Sequence, residues 1–224
     1  MRVTRIVDLS RPVGPGTQSY PGDRTPALEP SARLAEDGYN SSELHMSTHN
    51  GTHADAPFHF LADGARLSDL PLELFTGPAV VADVRGRGDR SPITAADLEP
   101  WRPSFARGTV VLLHTGWSAH YGTDRYFDHP YLAGDAARML VAAGVRTIGI
   151  DAPSPDETPF AGHPGSGWDA HLAVLGANGT IIENLCGLEL LDFPDPWFSA
   201  FPLRLDSGDG APVRAVAMRW SAGG

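Results

Sequence analysis

The sequence contains no lysine, and all 17 of its basic residues are arginine. Schiff-base and pyridoxal-phosphate chemistry both need a lysine amine, so the sequence excludes them. The single cysteine, Cys186, excludes an intrachain disulfide and a thiolate-rich zinc site. Acidic residues outnumber basic ones, and the formal net charge is −10. We therefore expect no nucleic-acid partner and no anionic membrane partner, because both need a basic surface.

Long apolar runs are also missing. No stretch approaches the roughly 18 apolar residues that a membrane span requires. The opening residues, MRVTRIVDLS, lack the apolar stretch of a secretory signal. We therefore expect a cytoplasmic protein. The length of 224 residues and the ordinary hydrophobic content of 42% predict one domain over residues 1–224.

Short apolar runs and turn residues predict a mixed α and β domain. Strands are predicted at 3–8, 79–84, 109–115, 146–151 and 180–184, and helices at 135–143 and 168–175. The alternation of strand and helix in the second half predicts parallel strands joined by crossovers. Near the end of the chain, 200–205 and 213–220 flank a Gly/Asp turn, which predicts an antiparallel pair. The expected fold class is α+β.

The stretch 47–60, STHNGTHADAPFHF, contains three of the nine histidines. Its Asn-Gly pair and its proline argue against a helix. In an extended segment, alternate residues face one side. The odd-numbered titratable residues that would share this face are His45, His49, His53, Asp55 and His59.

Imidazole and carboxylate ligands together suit Zn, Mn, Fe or Ni. A catalytic metal site needs about three protein ligands and one open position for water. His49, His53 and Asp55 supply such a set. The alternative is a polar turn with surface histidines, which we disfavour because four titratable side chains share one predicted face within a short segment.

The residues H-x-G-T-H-x-D-x-P-x-H at 49–59 resemble the signature of the cyclase-like metal hydrolases, which include bacterial kynurenine formamidases and isatin hydrolases. Other segments similar to that family lie at 8–23, 114–117, 149–157, 169–185 and 211–218. The resemblance implies a partly barrel-like mixed sheet flanked by helices. It also implies a divalent metal centre with two ions per subunit, Zn or Mn, and a homodimer or higher homo-oligomer.

The resemblance further implies a role for each residue of the metal centre. His49, His53 and Asp55 match ligands of the first metal, and Asp55 would bridge to the second. His171 matches a ligand of the second metal, and Glu183 matches the other bridging carboxylate. From the residues alone, His171 and Glu183 have ordinary structural explanations, so their assignment depends on the resemblance.

His59 matches the family's catalytic acid/base. The implied reaction is hydrolysis of an amide or formamide C–N bond, including cyclic amides, by a hydroxide that the metal activates. Kynurenine formamidases carry Trp before Pro-Gly-Asp in the opening segment, whereas this sequence has Tyr20, whose ring we expect to contact the small-molecule substrate. This departure leaves several substrates open: N-formylkynurenine of tryptophan catabolism, isatin-like lactams and lactones.

Two alternatives concern other kinds of protein. A serine hydrolase needs G-x-S-x-G at a strand-to-helix turn, and the nearest string, HPGSGW, has Pro164 where the first Gly should be. A metal-binding protein without turnover is compatible with the motif. His45 is a candidate for supporting a metal ligand, although an ordinary surface position is the simpler interpretation. His163 is a candidate for lining the pocket, although an ordinary loop position is the simpler interpretation. The histidines expected to be structural or exposed are His114, His120 and His129.

Overall fold

The computed structural model describes residues 1–221. The strands are β1 (Arg2–Asp8), β2 (Ala27–Ala32), β3 (Ser41–His45), β4 (His53–Asp55), β5 (Thr76–Asp83), β6 (Pro92–Ile93), β7 (Val110–His114), β8 (Tyr131–Leu132), β9 (Thr147–Ile150), β10 (Thr180–Glu183), β11 (Trp197–Ser199), β12 (Gly210–Pro212) and β13 (Val216–Ser221). The α-helices are α1 (Leu34–Asp37), α2 (Ala95–Leu98), α3 (Gly134–Ala142) and α4 (Asp169–Gly176). Short 3-10 helices lie at Pro57–His59, Leu67–Asp69, Leu72–Phe75, Glu99–Ser104, Trp117–His120, Asp124–Asp128 and Leu188–Leu190.

Nine strands form one mixed sheet in the order β1-β13-β11-β5-β7-β9-β10-β4-β12. Its central neighbours β5, β7, β9 and β10 are parallel, and antiparallel strands extend it on both sides. The strands β2 and β3 form a separate hairpin, and β6 pairs with β8. The predicted α+β class and the predicted parallel strands are confirmed.

The central strands are buried on both faces, as parallel strands usually are. All five residues of β7 are buried. Val111 and Leu113 belong to the core cluster that α3 and α4 cover, whereas Val110 and Leu112 belong to the cluster on the opposite face. This alternation is the two-residue period of a strand. The apolar run TVVLLHT therefore contributes side chains to the buried clusters on both faces of the sheet.

The sheet curls around the second of these clusters. Val7 lies on β1 and Ala211 on β12, the two ends of the strand order. Both residues nevertheless pack in the same buried cluster, together with Leu112 from the centre of the sheet. The predicted partly barrel-like mixed sheet is confirmed, because residues from both ends of the strand order share one core.

The predicted strand at 200–205 is wrong. The chain forms β11 three residues earlier, and β11 pairs antiparallel with β13 through Trp197 and Met218. In the predicted segment, Pro202 forms an isolated bridge with Val213, and proline has no backbone N–H to continue a ladder. The helix predictions agree with α3 and α4 to within a residue at each end. Nowhere in the described chain is there a helix with the length and hydrophobicity of a membrane span.

Candidate metal centre

The histidine motif is not one extended strand, which corrects the expectation from its odd-numbered spacing. Its strand, β4, has three residues. The chain turns at Gly51, whose φ of +66° is a conformation that glycine adopts at little steric cost. Nδ1 of His49 lies 2.8 Å from Oδ1 of Asp55 after this turn. Strand alternation therefore places His53 and Asp55 on one face of β4, whereas the turn at Gly51 brings the His49 side chain next to Asp55.

Strand pairing brings His53 opposite a glutamate from a distant part of the chain. The register of β4 with β10 pairs His53 with Glu183. Nε2 of His53 lies 3.3 Å from Oε2 of Glu183 and 3.3 Å from Oδ1 of Asp55. Nδ1 of His53 donates to the carbonyl of Gly51 at 2.9 Å. Its other ring nitrogen therefore keeps a lone pair that can bind a cation.

The first turn of α4 carries His171 into the same cluster. Nε2 of His171 lies 3.6 Å from Oδ2 of Asp55 and 3.4 Å from Oε1 of Glu183. The carboxylate of Asp156 holds the other side of the ring, at 2.6 Å from Nδ1. Asp156 also accepts the backbone N–H groups of Ala170 and His171, at 2.8 and 3.0 Å. One carboxylate therefore caps the helix and orients the imidazole.

The converging side chains have the properties of a cation site. Nε2 of His53 and Oδ2 of Asp55 are buried and have no hydrogen-bond partner within residues 1–221, and burying polar atoms in this state is costly. Two groups place their candidate ligand atoms within 4.8 Å of one another: His49, Asp55 and His59, and His53, Asp55 and Glu183. Imidazole and carboxylate together suit a divalent transition metal. The residues present therefore fit a divalent metal ion.

The carboxylates of this cluster stabilise positive charge on the neighbouring imidazoles, as the pKa shifts show. Burial alone would lower the pKa of His53, but the carboxylates of Asp55 and Glu183 outweigh it and raise that pKa well above its ordinary value. Burial would raise the pKa of Asp55, but His53, His171 and His49 hold it well below its usual range. Both residues are buried. Protons and a metal ion would compete for the same ring nitrogens.

His59 lies beside the cluster on a 3-10 helix that begins at Pro57. Its ring stacks on that of His49 with the centroids 3.9 Å apart, and its side chain is 30% exposed. Burial lowers the pKa of His59, and neighbouring Asp55 only partly opposes this. The ring is therefore neutral at pH 7. The structure brings His59 close enough to His49 and Asp55 to belong to a possible ligand group, and its predicted role as an off-metal acid/base stays a prediction.

A cavity of about 300 Å³ opens onto the cluster. His59, His171 and Glu183 line it, together with the rings of Phe60 and Trp168. Phe60 stacks on His171 at 4.3 Å between centroids and lies 5.4 Å from Trp168. A flat apolar wall therefore runs directly up to the candidate ligands, an arrangement typical of a small-molecule site.

Tyr20 also lines the cavity, and its ring meets that of Phe127 edge-on at 6.4 Å between centroids. Burial raises the pKa of Tyr20 to about 12; the nearby Thr158 hydroxyl partly opposes this rise, and Glu183 and Asp156 add to it. The Tyr20 hydroxyl is thus protonated and can donate. It is buried and has no hydrogen-bond partner in the described chain; the nearby Thr158 hydroxyl bonds to His129 instead. Tyr20 therefore lines the cavity, and its contact with a substrate stays a prediction.

The remaining histidines lie outside the cluster. His45 ends the exposed hairpin strand β3 with its side chain 72% exposed, so the suggestion that it supports a metal ligand is wrong. His163 pairs with Glu157 at 2.9 Å in a loop, and His114 and His129 are buried.

Sequence reasoning missed two carboxylates: Asp156, described above, and Asp209, whose Oδ2 lies 3.3 Å from Nε2 of His49.

Comparison with known proteins shows which family the chain belongs to. The family model described as a putative cyclase matches residues 7–157. A kynurenine formamidase of Salinibacter ruber is 37% identical over 217 residues, which cover 94% of this chain and 96% of that protein. The solved structure of isatin hydrolase A from Labrenzia aggregata bound to benzyl benzoate has a TM-score of 0.85 and 26% identity, covering 96% of this chain and 93% of that one. A second structure, described as a potential metal-dependent hydrolase with cyclase activity, has a TM-score of 0.77 and 28% identity, covering 97% and 99%. The profile match and the identity to these relatives together show that the chain belongs to the cyclase family.

Proposed function

We propose that this protein is a metal-dependent hydrolase that cleaves the C–N bond of a small amide or formamide, as an arylformamidase does. One observation carries the proposal. Three imidazoles and two carboxylates from separate segments converge with neighbouring N and O atoms 2.8 to 3.6 Å apart, beside a cavity with aromatic walls. A polar surface turn would not bury these groups or face them toward one another.

In this proposal, five side chains hold two divalent ions, Zn or Mn. His49 and His53 face Oδ1 of Asp55, and His171 faces Oδ2 of the same carboxylate. Glu183 divides its oxygens in the same way, with Oε2 toward His53 and Oε1 toward His171. Both carboxylates are therefore suited to bridging. A bound divalent cation would lower the pKa of a water molecule and polarise the carbonyl of the substrate.

His59 would move the protons of the reaction. Its ring borders the cavity and is neutral at pH 7 because burial lowers its pKa. A neutral imidazole can take a proton from the attacking water and then give it to the leaving nitrogen. This exchange is needed because an amide nitrogen leaves poorly until it is protonated.

The cavity favours a flat aromatic substrate. Phe60 and Trp168 form its apolar wall, and the Tyr20 hydroxyl is an unused donor within it. The relatives named kynurenine formamidase and isatin hydrolase suggest two such substrate classes, an N-formyl arylamine and a cyclic aryl lactam. With the first class, the protein would act in tryptophan catabolism. The pocket volume of about 300 Å³ lies at the small end for ligand sites.

We also infer that residues 1–224 act as one domain and that the protein is a cytoplasmic homodimer or higher homo-oligomer. The β2–β3 hairpin supports association. Leu28 and Leu44 on its two strands are 47% and 49% exposed, and a two-stranded sheet gains little stability alone in water. Size measurement of the metal-loaded protein by light scattering tests the oligomeric state.

The central experiment measures hydrolysis of N-formylkynurenine, isatin and simple lactones, with elemental analysis of the same protein sample. The proposal expects bound Zn or Mn, turnover of at least one amide, and loss of turnover after chelation. Restoring the metal should restore turnover. Full metal occupancy with no hydrolysis of any substrate would instead support the metal-binding protein without turnover.

A further inference from the structure

The segment around β12 lies directly against the histidine motif. Gly210 pairs with Asp55 in the antiparallel register of β12 and β4, and the N–H of Ala56 donates to the carbonyl of Asp209 at 2.8 Å. A Cβ atom on Gly210 would lie 2.7 Å from Cε1 of His49. Only glycine therefore lets this strand approach the imidazole so closely. The backbone pairing also fixes the position of the Asp209 backbone, from which the side chain extends.

The Asp209 carboxylate faces two imidazoles at once. Its Oδ2 lies 3.3 Å from Nε2 of His49 and 4.0 Å from Nδ1 of His59. Its Oδ1 accepts a hydrogen bond from the Thr48 hydroxyl at 3.0 Å. The two rings stack with an interplanar angle of 25°. One charge, anchored by Thr48 and by the strand, thus contacts both a candidate metal ligand and the candidate acid/base.

We propose that Asp209 is a positioning residue that sets the working orientation of both rings. A carboxylate favours the tautomer whose N–H points toward it. In the metal-loaded protein, the cation would replace the proton between Nδ1 of His49 and Oδ1 of Asp55, which lie 2.8 Å apart, and Asp209, 3.3 Å from Nε2, would then favour the proton on Nε2. For His59, the same preference leaves the second ring nitrogen to exchange protons in the cavity. This inference rests on the proposed function for the roles of the two histidines.

Metal affinity gives the first test, and it needs no substrate. Asp209→Asn keeps the shape and removes the charge. The matched control is Asp206→Asn, an exposed acidic residue in the same segment. Residues that orient metal ligands are typically worth 10 to 100-fold in affinity. We expect the Kd for Zn²⁺ or Mn²⁺, measured by competition with a chromogenic chelator, to rise about 10 to 100-fold in D209N and to stay unchanged in D206N.

Kinetics give the second test. At saturating metal, D209N should lower kcat by about tenfold or more while KM changes little, because the proton-transfer geometry is lost and the aromatic wall is intact. Asp209→Glu should restore part of both properties. Thr48→Val removes the anchoring hydrogen bond and should shift them in the same direction by less. It also keeps the inference testable if D209N does not fold.

The inference is overturned if D209N and T48V match D206N in metal affinity and in kcat. It is also overturned if they lower only the thermal stability of the metal-free protein. Failure of the proposed function would appear differently, as a wild-type protein that hydrolyses none of the amides. In that case, the comparison of metal affinities still decides whether Asp209 orients His49.

Discussion

The rings of His49 and His59 stack at 3.9 Å between centroids, yet the two side chains have different surroundings. Both rings line the cavity, but the His49 side chain is 14% exposed and lies 2.8 Å from Asp55, whereas the His59 side chain is 30% exposed. The Asp55 carboxylate lies 2.8 Å from Nδ1 of His49, whereas the Asp209 carboxylate lies 4.0 Å from Nδ1 of His59. This difference in environment underlies the separation of metal binding from proton transfer in the proposed function.

His59→Ala should therefore leave the metal content unchanged and reduce kcat. General acid–base catalysis typically contributes about 10² to 10⁴-fold, and we expect a loss in that range. Elemental analysis and steady-state kinetics on one sample measure both quantities. His45→Ala is the matched control, because the His45 side chain is 72% exposed and is not part of the cavity lining. Loss of metal from His59→Ala would instead make His59 a ligand.

Asp55→Asn should lose both metal and activity. Asp55 contacts all three candidate histidine ligands and is fully buried. Removing its charge should weaken metal binding by at least about 100-fold, because a ligand matters more than a residue that orients one. Elemental analysis after dialysis measures the loss. Asp63→Asn, an exposed acidic residue near the motif, should keep full occupancy. An Asp55→Asn protein with normal metal content would contradict the ligand assignment.

Tyr20→Phe should lower kcat/KM and leave the metal content intact. The hydroxyl of Tyr20 is buried, protonated and without a protein partner. A neutral hydrogen bond to substrate contributes about 1 kcal/mol, which corresponds to roughly fivefold in kcat/KM. Tyr39→Phe, at a tyrosine 61% exposed, is the control. Equal kcat/KM for wild type and Tyr20→Phe on every substrate would show that the hydroxyl makes no such contact.

His129 should make the protein less stable in acid. It is fully buried, with Nε2 accepting from the Thr158 hydroxyl at 2.9 Å, and burial lowers its pKa to about 4. The unfolded chain, with an ordinary histidine pKa, binds the proton first as the pH falls. The contribution of His129 to the free energy of unfolding should therefore drop by about 3 kcal/mol between pH 6.5 and pH 4.

Denaturant unfolding of the metal-free protein at both pH values measures this drop. In His129→Gln the drop should be smaller by about the same 3 kcal/mol, even if that variant starts less stable at pH 7. His45→Gln should behave like wild type, because His45 is exposed. A wild-type drop no larger than that of His129→Gln would show that His129 is protonated in the folded protein.

The sequence predicted the sheet better than it predicted the local path of the motif. Apolar β-branched runs such as 109–115 indicate a buried strand wherever they lie in the chain, because a strand buried on both faces needs apolar side chains at nearly every position. The path of His49 depends instead on a turn at Gly51 and on a hydrogen bond from Thr52 to the carbonyl of Asn184, 2.8 Å away. Such a contact between distant segments leaves no periodic signal in the sequence.

The two missed carboxylates illustrate the same point. Asp156 and Asp209 are acidic residues in loops, which are ordinary surface features in most sequences. Their importance appears only when folding places them beside His171 and His49. The resemblance to a known family, rather than spacing, singled out His171 and Glu183. The register of β4 with β10 then gives a physical reason why Glu183 meets the motif.

The double contact of Asp156 with α4 has a kinetic consequence. Its carboxylate caps the backbone of the helix and holds the ring of His171. If His171 binds metal, the first turn of α4 cannot unwind without withdrawing a ligand. Local opening of the helix and release of the ion then become one event. Metal should consequently slow amide hydrogen exchange at Ala170 and His171 more than at helix α3, which carries no candidate ligand of its own. The slowest step of metal loss would be the fraying of a helix end, rather than the breaking of a coordinate bond.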